Sequence, residues 1–260
     1  MYYGSNGYMM AGFKPAHCGF EDAEVGAIHA KSFICSLLNF LFIITLMSNI
    51  GASPKSDLRL AIILLAAGEG SRMGSIPKAL LKKDGKTLLE NFFSEVRDLN
   101  PIELVVVTGF HNQAIDAELA KQSTLLSQSI CVIHNPNPDR GQGSSVRLGL
   151  ESLQSHFDVL AVCLCDQPNI RSRELMLLLE RFTHQKTGHE MVMPQVGGQR
   201  GNPVLFSRKV VEAILSKPEM TCRTFMDQNP NLIHIFETTH DAFILDVDTE
   251  ADIQKLRISK

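Results

Sequence analysis

The fold of this 260-residue chain is decided by residues 64–78, which read Leu64-Leu65-Ala66-Ala67-Gly68-Glu69-Gly70-Ser71-Arg72-Met73-Gly74-Ser75-Ile76-Pro77-Lys78. An apolar run ends abruptly at a glycine-rich turn, and an arginine and a lysine follow. Glycine lets backbone N–H groups approach a phosphate closely because no Cβ intervenes. The planar guanidinium of Arg72 can bind two phosphate oxygens, and Lys78 adds a point charge. The segment therefore predicts a site for a nucleoside triphosphate at the end of a buried strand.

The turn differs from the two commonest phosphate-binding loops. A P-loop requires a lysine directly after its last glycine, and none follows Gly74. The dinucleotide fingerprint would require glycine at Ser71 or Met73. The combination of the turn with Pro77-Lys78 is therefore a signature of its own.

Composition limits the functions that are open to the chain. The formal net charge is −3, so a nucleic-acid surface, which is usually basic, is not expected. The six cysteines include no C-x-x-C pair and no zinc spacing. Buried thiols in a reducing compartment are the simpler interpretation, and we expect a cytoplasmic protein.

Residues 1–57 do not share the pattern of the rest and are predicted to form an N-terminal extension. Its segment 33–47 is almost wholly apolar, but it is short for a bilayer span, which needs about 20 residues. Three interpretations stay open: a translation start assigned too far upstream of Met47, a membrane anchor, and a secretion signal. The acidic residues before the segment do not fit a signal, and secretion would separate the protein from its triphosphate supply.

From residue 58 to residue 260 the organisation is regular, and this range is predicted to be the functional domain. Apolar runs predict strands at 60–65, 103–107, 130–134 and 159–164. Helical spacing predicts helices at 87–99, 113–119, 144–153 and 174–182, with Ser144 or Ser145 as the N-cap of the third. We therefore expect an α/β fold of three layers, Rossmann-like, with a mainly parallel sheet and helices on both faces.

Polar residues follow the predicted strands where such sheets bind their ligands, beyond the carboxyl ends. Asp166 comes directly after the fourth strand, and a hard cation such as Mg²⁺ needs a few oxygen ligands of this kind. The alternative is that Asp166 only caps the next helix. A second carboxylate can come from Asp246-Val247-Asp248, whose acids share a face if the run is a strand. Asp248 is the expected second metal contact.

Two further glycine-containing motifs have the residues of a binding site. Gly141-Gln142-Gly143-Ser144-Ser145 opens the third predicted helix, where free N–H groups favour acceptor oxygens. Gly201-Asn202-Pro203 follows the cationic loop 197–200, which suits the phosphate of an acceptor substrate. A plain helix start and an exposed hairpin are the alternatives for these two motifs.

In their order along the chain, these motifs resemble one family of enzymes. The glycine-rich loop, Pro-Lys, Val-Thr-Gly, His-Asn-Pro, Gly-Ser-Ser, Asp-Gln-Pro, Gly-Asn-Pro and the late Asp-x-Asp-Thr run from about residue 59 to residue 257. This region resembles the molybdenum cofactor cytidylyltransferases of the nucleotidyltransferase superfamily. The late motif lacks the proline of the resembling enzymes. Cytidylyl-transferring relatives carry Ala-Ala-Gly where guanylyl-transferring ones carry Ala-Gly-Gly, and this chain has Ala66-Ala67-Gly68.

The resemblance implies a nucleotidyltransferase fold and a transfer of CMP from CTP to the terminal phosphate of molybdopterin, with release of pyrophosphate. It implies Mg²⁺ as cofactor, CTP and molybdopterin as substrates, and a molybdoenzyme that receives the product. Guanylyl transfer, a sugar-phosphate acceptor and a non-catalytic cofactor chaperone remain alternatives. The expected catalytic residues are Arg72, Lys78 and Asp166, and the expected metal ligands are Asp166 and Asp248. The expected nucleotide-binding residues are Leu65, Ala66, Ala67, Gly68, Gly70, Ser71, Arg72, Lys78, Thr108, Gly109, Gly143, Ser144 and Ser145, and the expected acceptor-binding residues are Gly201, Asn202 and Pro203.

Overall fold

A computed structural model describes residues 58–122 and 130–260. The N-terminal extension and its apolar segment 33–47 therefore lie outside the described residues. The strands are β1 (Leu60–Ala66), β2 (Lys82–Lys83), β3 (Lys86–Thr87), β4 (Glu103–Thr108), β5 (Ile130–His134), β6 (Val159–Leu164), β7 (Met191–Val196), β8 (Gln199–Arg200), β9 (Val204–Ser207), β10 (Ile233–Thr238) and β11 (Ile258–Ser259).

A mixed sheet forms the middle layer, with the strand order β10-β7-β9-β6-β1-β4-β5. Its pairs are parallel except for those that β9 makes with β6 and β7, and for the short hairpin partner β8 of β7. Strand β1 lies between β6 and β4, and all seven of its residues are buried. A strand covered on both faces is expected to be apolar throughout, as this one is.

Helices cover both faces of this sheet, so the predicted three-layer α/β class is confirmed. They are α1 (Leu88–Val96), α2 (Asn112–Gln122), α3 (Gln142–Ser152), α4 (Ser172–Thr183), α5 (Arg208–Leu215), α6 (Cys222–Gln228) and α7 (Glu250–Lys255). One apolar core joins α1, α2 and α4 to one face, and a second joins α3, α5 and α6 to the other. The alternation of side chains along β1 supplies both cores, since Ile62 and Leu64 enter one and Ile63 and Leu65 the other.

One prediction about local structure is wrong. The N-cap of α3 is Gly141, with φ of 88°, and Ser144 and Ser145 lie inside the first turn. A glycine adopts this backbone conformation more readily than a serine, so the helix begins earlier than its serines suggest. The run Asp246-Val247-Asp248 is not a strand. The condition under which its two acids would share a face is therefore not met.

A small antiparallel sheet of β11, β2 and β3 packs on a third apolar cluster that includes Met73, Leu81 and Val247. This cluster joins the glycine-rich turn to the last part of the chain. Within residues 58–122 and 130–260, no helix has the length and apolar character needed to cross a bilayer.

Candidate active site

The described part of the chain encloses a cavity of about 450 Å³ where β1 and β6 end. Five separate stretches contribute to its wall: the glycine-rich turn with Pro77–Ala79, the start of α2 with Phe110 before it, the start of α3, the residues after β6, and the late acidic segment. Because parallel strands end at the same edge of the sheet, stretches that are distant in sequence meet here. The cavity is therefore a product of the whole domain.

The glycine-rich turn is held in its shape by its own backbone. The carbonyl oxygen of Gly70 accepts hydrogen bonds from the N–H groups of Met73 at 3.0 Å and Ser75 at 3.1 Å. Gly70 has φ of 67°, and a Cβ there would lie 2.2 Å from the carbonyl oxygen of Ile76. Only glycine fits both conditions, so the residue is required for the turn itself. A side-chain bond from His111 Nε2 to the carbonyl oxygen of Glu69, 2.8 Å long, fastens the turn to the start of α2.

Lys78 lies between two carboxylates at the floor of this cavity. Its Nζ donates to Asp166 Oδ2 at 2.8 Å and to Asp248 Oδ1 at 2.5 Å. Burial by itself would lower the pKa of Lys78, but the two carboxylates outweigh burial and the pKa is raised. Arg72 donates from Nη1 to Asp248 Oδ2 at 2.9 Å, and its side chain is 73% exposed. The two predicted cations, Arg72 and Lys78, and the two predicted metal ligands, Asp166 and Asp248, thus form a single cluster.

Asp248 reaches this cluster because the residue before it is anchored. Val247 is fully buried in the third apolar cluster, and its N–H donates to the carbonyl oxygen of Asp166 at 2.9 Å. On the other side, Thr249 and Asp252 form a capping box that begins α7. These contacts hold the acidic run in place without strand pairing.

Asp246 lines the same cavity, and sequence reasoning gave it the lesser role. Its Oδ1 is buried and has no hydrogen-bond partner among the residues that the structure describes. Burial, followed by the nearby charge of Asp166, raises the pKa of Asp246 to about 6. An unpartnered buried carboxylate oxygen carries a desolvation cost, so this atom is a candidate contact for a bound group.

The chemistry of the donor set suits a hard divalent cation. No set of three His, Cys, Asp or Glu side chains in residues 58–122 and 130–260 is arranged as a ready metal centre. Asp166, Asp246 and Asp248 nevertheless all line one cavity. Mg²⁺ is commonly bound by one or two carboxylates together with water and substrate phosphates, so these residues fit it.

The predicted nucleotide-binding residues divide into two layers. Leu65–Arg72 and Ser145 line the cavity, whereas Thr108, Gly109, Gly143 and Ser144 do not. Gly109 packs against Ala67, since a Cβ there would lie 2.7 Å from the Ala67 carbonyl oxygen. Ser144 and Ser145 accept hydrogen bonds from Asn135 Nδ2, at 3.0 Å and 2.9 Å. The second layer thus supports the walls that the first layer forms.

The predicted acceptor motif Gly201-Asn202-Pro203 lies outside the cavity wall. The N–H of Asn202 donates to the carbonyl oxygen of Phe243 at 2.8 Å, and a Cβ on Gly201 would lie 2.7 Å from the same oxygen. The peptide bond between Asn202 and Pro203 is cis. The motif therefore supports the chain just before the acidic segment, and its role toward an acceptor stays a prediction.

Sequence reasoning missed several apolar residues of the cavity wall, Phe110 and Ile115 among them. Phe110 is 43% exposed although it follows a buried strand, and Ile115 lies nearby on α2. A large exposed phenylalanine directly after Thr108-Gly109 was the available signal. Both add apolar surface to the cavity wall.

Solved structures share this architecture. A nucleotidyl transferase from Methanothermobacter thermautotrophicus superposes with a TM-score of 0.62 at 18% identity, over 76% of this chain and 96% of that one. The 4-diphosphocytidyl-2C-methyl-D-erythritol synthase of Anaerococcus prevotii gives 0.57 at 14% identity, over 76% and 93%. At these identities the likeness shows the fold.

The sequence match is more specific. Residues 62–231 match the family described as the MobA-like NTP transferase domain, and the chain belongs to this family. Among curated proteins, the bifunctional protein GlmU of Streptomyces avermitilis is 33% identical over 134 residues, which are 51% of this chain and 27% of GlmU. The chain thus matches about a quarter of the length of this relative.

Proposed function

We propose that this protein transfers the CMP moiety of CTP to the terminal phosphate of a molybdopterin acceptor and releases pyrophosphate. One observation carries the proposal. Lys78 lies between Asp166 and Asp248 directly beneath a glycine-rich turn, in a cavity of about 450 Å³. A volume in the range of about 300–1,000 Å³ is typical of sites for small molecules, and this one is large enough for a nucleotide.

The chain's own residues perform the binding and neutralisation that this reaction needs. The N–H groups of the turn and the exposed guanidinium of Arg72 receive the triphosphate oxygens. Because its carboxylate neighbours raise the pKa of Lys78, this side chain stays a cation at neutral pH and does not act as a base. Asp166 and Asp248, with Asp246 beside them, would hold Mg²⁺. When bound, that ion neutralises charge on the phosphate oxygens.

The reaction needs no covalent intermediate with the protein. An oxygen of the acceptor phosphate forms a bond to the α-phosphorus, and the bond from this phosphorus to the bridging oxygen of the β-phosphate breaks. The electron pair leaves with pyrophosphate. Such a transfer depends mainly on positioning and charge stabilisation, which the cluster of Arg72, Lys78 and the acidic residues supplies.

The choice of CTP and molybdopterin rests on the motifs. Ala66-Ala67-Gly68 is typical of cytidylyl transfer, and the methyl group of Ala67 narrows the slot that a purine would need. Asp166-Gln167-Pro168 resembles the metal motif of the molybdopterin branch. The family description, an NTP transferase domain, supports a nucleoside triphosphate as the donor.

A second candidate is nucleotidyl transfer to a sugar phosphate or another small phosphorylated alcohol. It is favoured by the match to GlmU at 33% identity, which is higher than the identity to the solved structures given above. Guanylyl transfer and a non-catalytic cofactor chaperone stay as further alternatives. A chaperone would not need the triphosphate-binding cations, and both Arg72 and Lys78 are present.

The proposal is tested by measuring pyrophosphate release from each of CTP, GTP, ATP and UTP, with and without molybdopterin. We expect release from CTP only when molybdopterin is present. Asp166→Asn should lower turnover by about 100-fold or more while the protein stays folded, because the carboxylate charge is lost from the cluster. Asp116→Asn, an exposed change on α2, is the matched control and should retain full turnover.

Each other outcome contradicts a defined part of the proposal. Release with a sugar phosphate and not with molybdopterin would replace the acceptor. Preference for GTP would replace the donor. Near-normal turnover of folded Asp166→Asn would remove this residue from the site.

A further inference from the structure

The two carboxylates that we assign to a metal ion are both engaged by side-chain cations in this structure. Lys78 Nζ donates to Asp166 Oδ2 at 2.8 Å and to Asp248 Oδ1 at 2.5 Å. Arg72 Nη1 donates to the other oxygen of Asp248, Oδ2, at 2.9 Å. Three of the four carboxylate oxygens of this pair therefore accept a hydrogen bond from a cation. A metal ion on the same oxygens would lie within a few ångströms of a like charge, and such charges repel strongly.

Lys78 is the greater obstacle of the two cations. Its side chain is only 16% exposed, and its ammonium group contacts both carboxylates at once. It therefore occupies the bridging position that a single metal ion would take between Asp166 and Asp248. Arg72 contacts Asp248 alone, and its side chain is 73% exposed. The arginine consequently hinders only one side of the acidic pair.

Long-range charge does not keep a metal ion out of the cavity. The charged residues of the wall are the cations Arg72 and Lys78 and the acids Glu69, Asp166, Asp246 and Asp248. The wall as a whole is thus acidic, and it attracts cations from solution. The obstacle is local and lies at the oxygen atoms that the Lys78 ammonium group contacts.

A bound triphosphate offers both cations another partner. Phosphate oxygens accept charge-assisted hydrogen bonds from lysine and arginine. The flexible four-carbon stem of Lys78 and the exposed guanidinium of Arg72 allow both groups to turn toward such a ligand. Each cation that moves to a phosphate leaves a carboxylate oxygen free. The two positive charges of one divalent ion then replace the charges of two side chains, so the acidic pair is neutralised before and after the exchange.

We propose that Lys78, assisted by Arg72, prevents a divalent metal ion from binding to Asp166 and Asp248 until a triphosphate draws both cations away. This inference rests on the proposed function, from which it takes the triphosphate and the two metal ligands. Metal and triphosphate then favour each other's binding, because a coupling between two ligands is reciprocal. The free protein should bind the metal weakly, and loss of the Lys78 ammonium group should strengthen that binding.

The test measures Mn²⁺ binding to the full chain without nucleotide, by electron paramagnetic resonance of the free ion. A salt concentration of about 0.15 M screens long-range charge effects. The variant Lys78→Gln removes the bridging ammonium group. Its matched control, Lys82→Gln, removes the same charge from an exposed position four residues further on. We expect the dissociation constant for Mn²⁺ to fall by about tenfold or more in Lys78→Gln and to change by less than about twofold in the control.

A second variant locates the bound ion. Adding Asp248→Asn to Lys78→Gln should abolish the gain in Mn²⁺ affinity, because one of the two proposed ligands is lost. A gain that survives in this double variant would mean that the ion binds elsewhere and would overturn the proposal. Unchanged or weaker Mn²⁺ binding to folded Lys78→Gln would also overturn it, as would an equal gain in Lys82→Gln.

The exposed arginine keeps the test available if Lys78→Gln does not fold. Arg72→Gln should lower the dissociation constant for Mn²⁺ by about threefold or more, since one oxygen of Asp248 becomes free. No gain in this variant would then overturn the proposal. The measurement uses neither CTP nor molybdopterin, so a wrong donor or acceptor would leave its result unchanged. Failure of this inference and failure of the proposed function are therefore separate results.

Discussion

Gly70 shows how much of this site depends on single backbone positions. Its φ of 67° places it in the left-handed region, and its carbonyl oxygen closes the turn by accepting from Met73 and Ser75. The same turn brings Arg72 beside Asp248. The backbone conformation at Gly70 thus determines both the shape of the loop and the position of the Arg72 guanidinium.

At the residue scale we predict that Gly70→Ala lowers the free energy of unfolding by about 2 kcal/mol or more, since a left-handed conformation and a backbone clash add. The clash is with the carbonyl oxygen of Ile76, 2.2 Å from the new Cβ. Gly74→Ala is the matched control, because its φ is 81° but its Cβ meets nothing within 4 Å. It should cost about 1 kcal/mol, from conformation alone. Urea unfolding measures both, and equal losses would contradict the role of the clash.

At the element scale, the starts of β1 and β6 are tied together by Arg59 and Asp158. Asp158 Oδ2 accepts from the N–H of Arg59 at 2.9 Å and from its Nε at 3.0 Å, and Oδ1 accepts from Nη2 at 2.7 Å. The hydrogen bonds from the Arg59 side chain, the largest cause, hold the pKa of Asp158 at about 2. This pair fixes the register of the two strands whose other ends form the cavity.

We predict that Asp158→Asn lowers the unfolding free energy at pH 7 by about 1 kcal/mol or less, because the pair is largely exposed and screened. The pKa is lower in the folded state than the usual value of about 3.9 in an unfolded chain, so the contribution is complete above that pH. It disappears as the pH falls from about 4 toward about 2. Urea unfolding at a series of pH values measures this. Asp98→Asn, which removes a more exposed acid 3.5 Å from Arg97, should change little, and a pH-independent loss in Asp158→Asn would contradict the prediction.

At the scale of the whole molecule, the candidate active site is assembled from stretches between residue 65 and residue 248. Two apolar cores hold the sheet from its two faces, and a third fastens the late acidic segment to the glycine-rich turn. A ligand in the cavity therefore contacts parts of the chain that become neighbours only in the folded state. Because only the folded domain offers all of these contacts, ligand binding stabilises the whole domain against unfolding.

We accordingly predict that CTP with Mg²⁺ raises the midpoint of thermal unfolding, with a gain in stability of about 2.7 kcal/mol at 100 times the dissociation constant. Arg72→Gln should reduce the shift at a fixed CTP concentration, because one of the two cations that face the triphosphate is lost. The exposed change Arg97→Gln is the control and should leave the shift intact. Scanning fluorimetry measures the midpoints. An equal shift in all three proteins would place CTP elsewhere.

The sequence by itself determined the α/β class, most of the strands and helices of the site-bearing half, and the residues of the charged cluster. Each of these features produces a signal within a short stretch of sequence. Buried strands are apolar, and the apolar residues of amphipathic helices recur about every 3.6 residues. A glycine-rich turn is recognised from its own glycines and the cations that follow them. Arg72, Lys78, Asp166 and Asp248 carry this information in their own short motifs.

Only the tertiary structure decided which of the motif residues face the cavity and which support it. Thr108, Gly109 and Gly201–Pro203 contribute through packing against other segments, and Asp248 reaches Lys78 because Val247 is anchored in an apolar cluster. The irregular course of 246–248 likewise depends on contacts between distant parts of the chain, such as the hydrogen bond from the Val247 N–H to the Asp166 carbonyl oxygen. Such contacts arise from side-chain packing between distant segments, so a local sequence pattern cannot predict them.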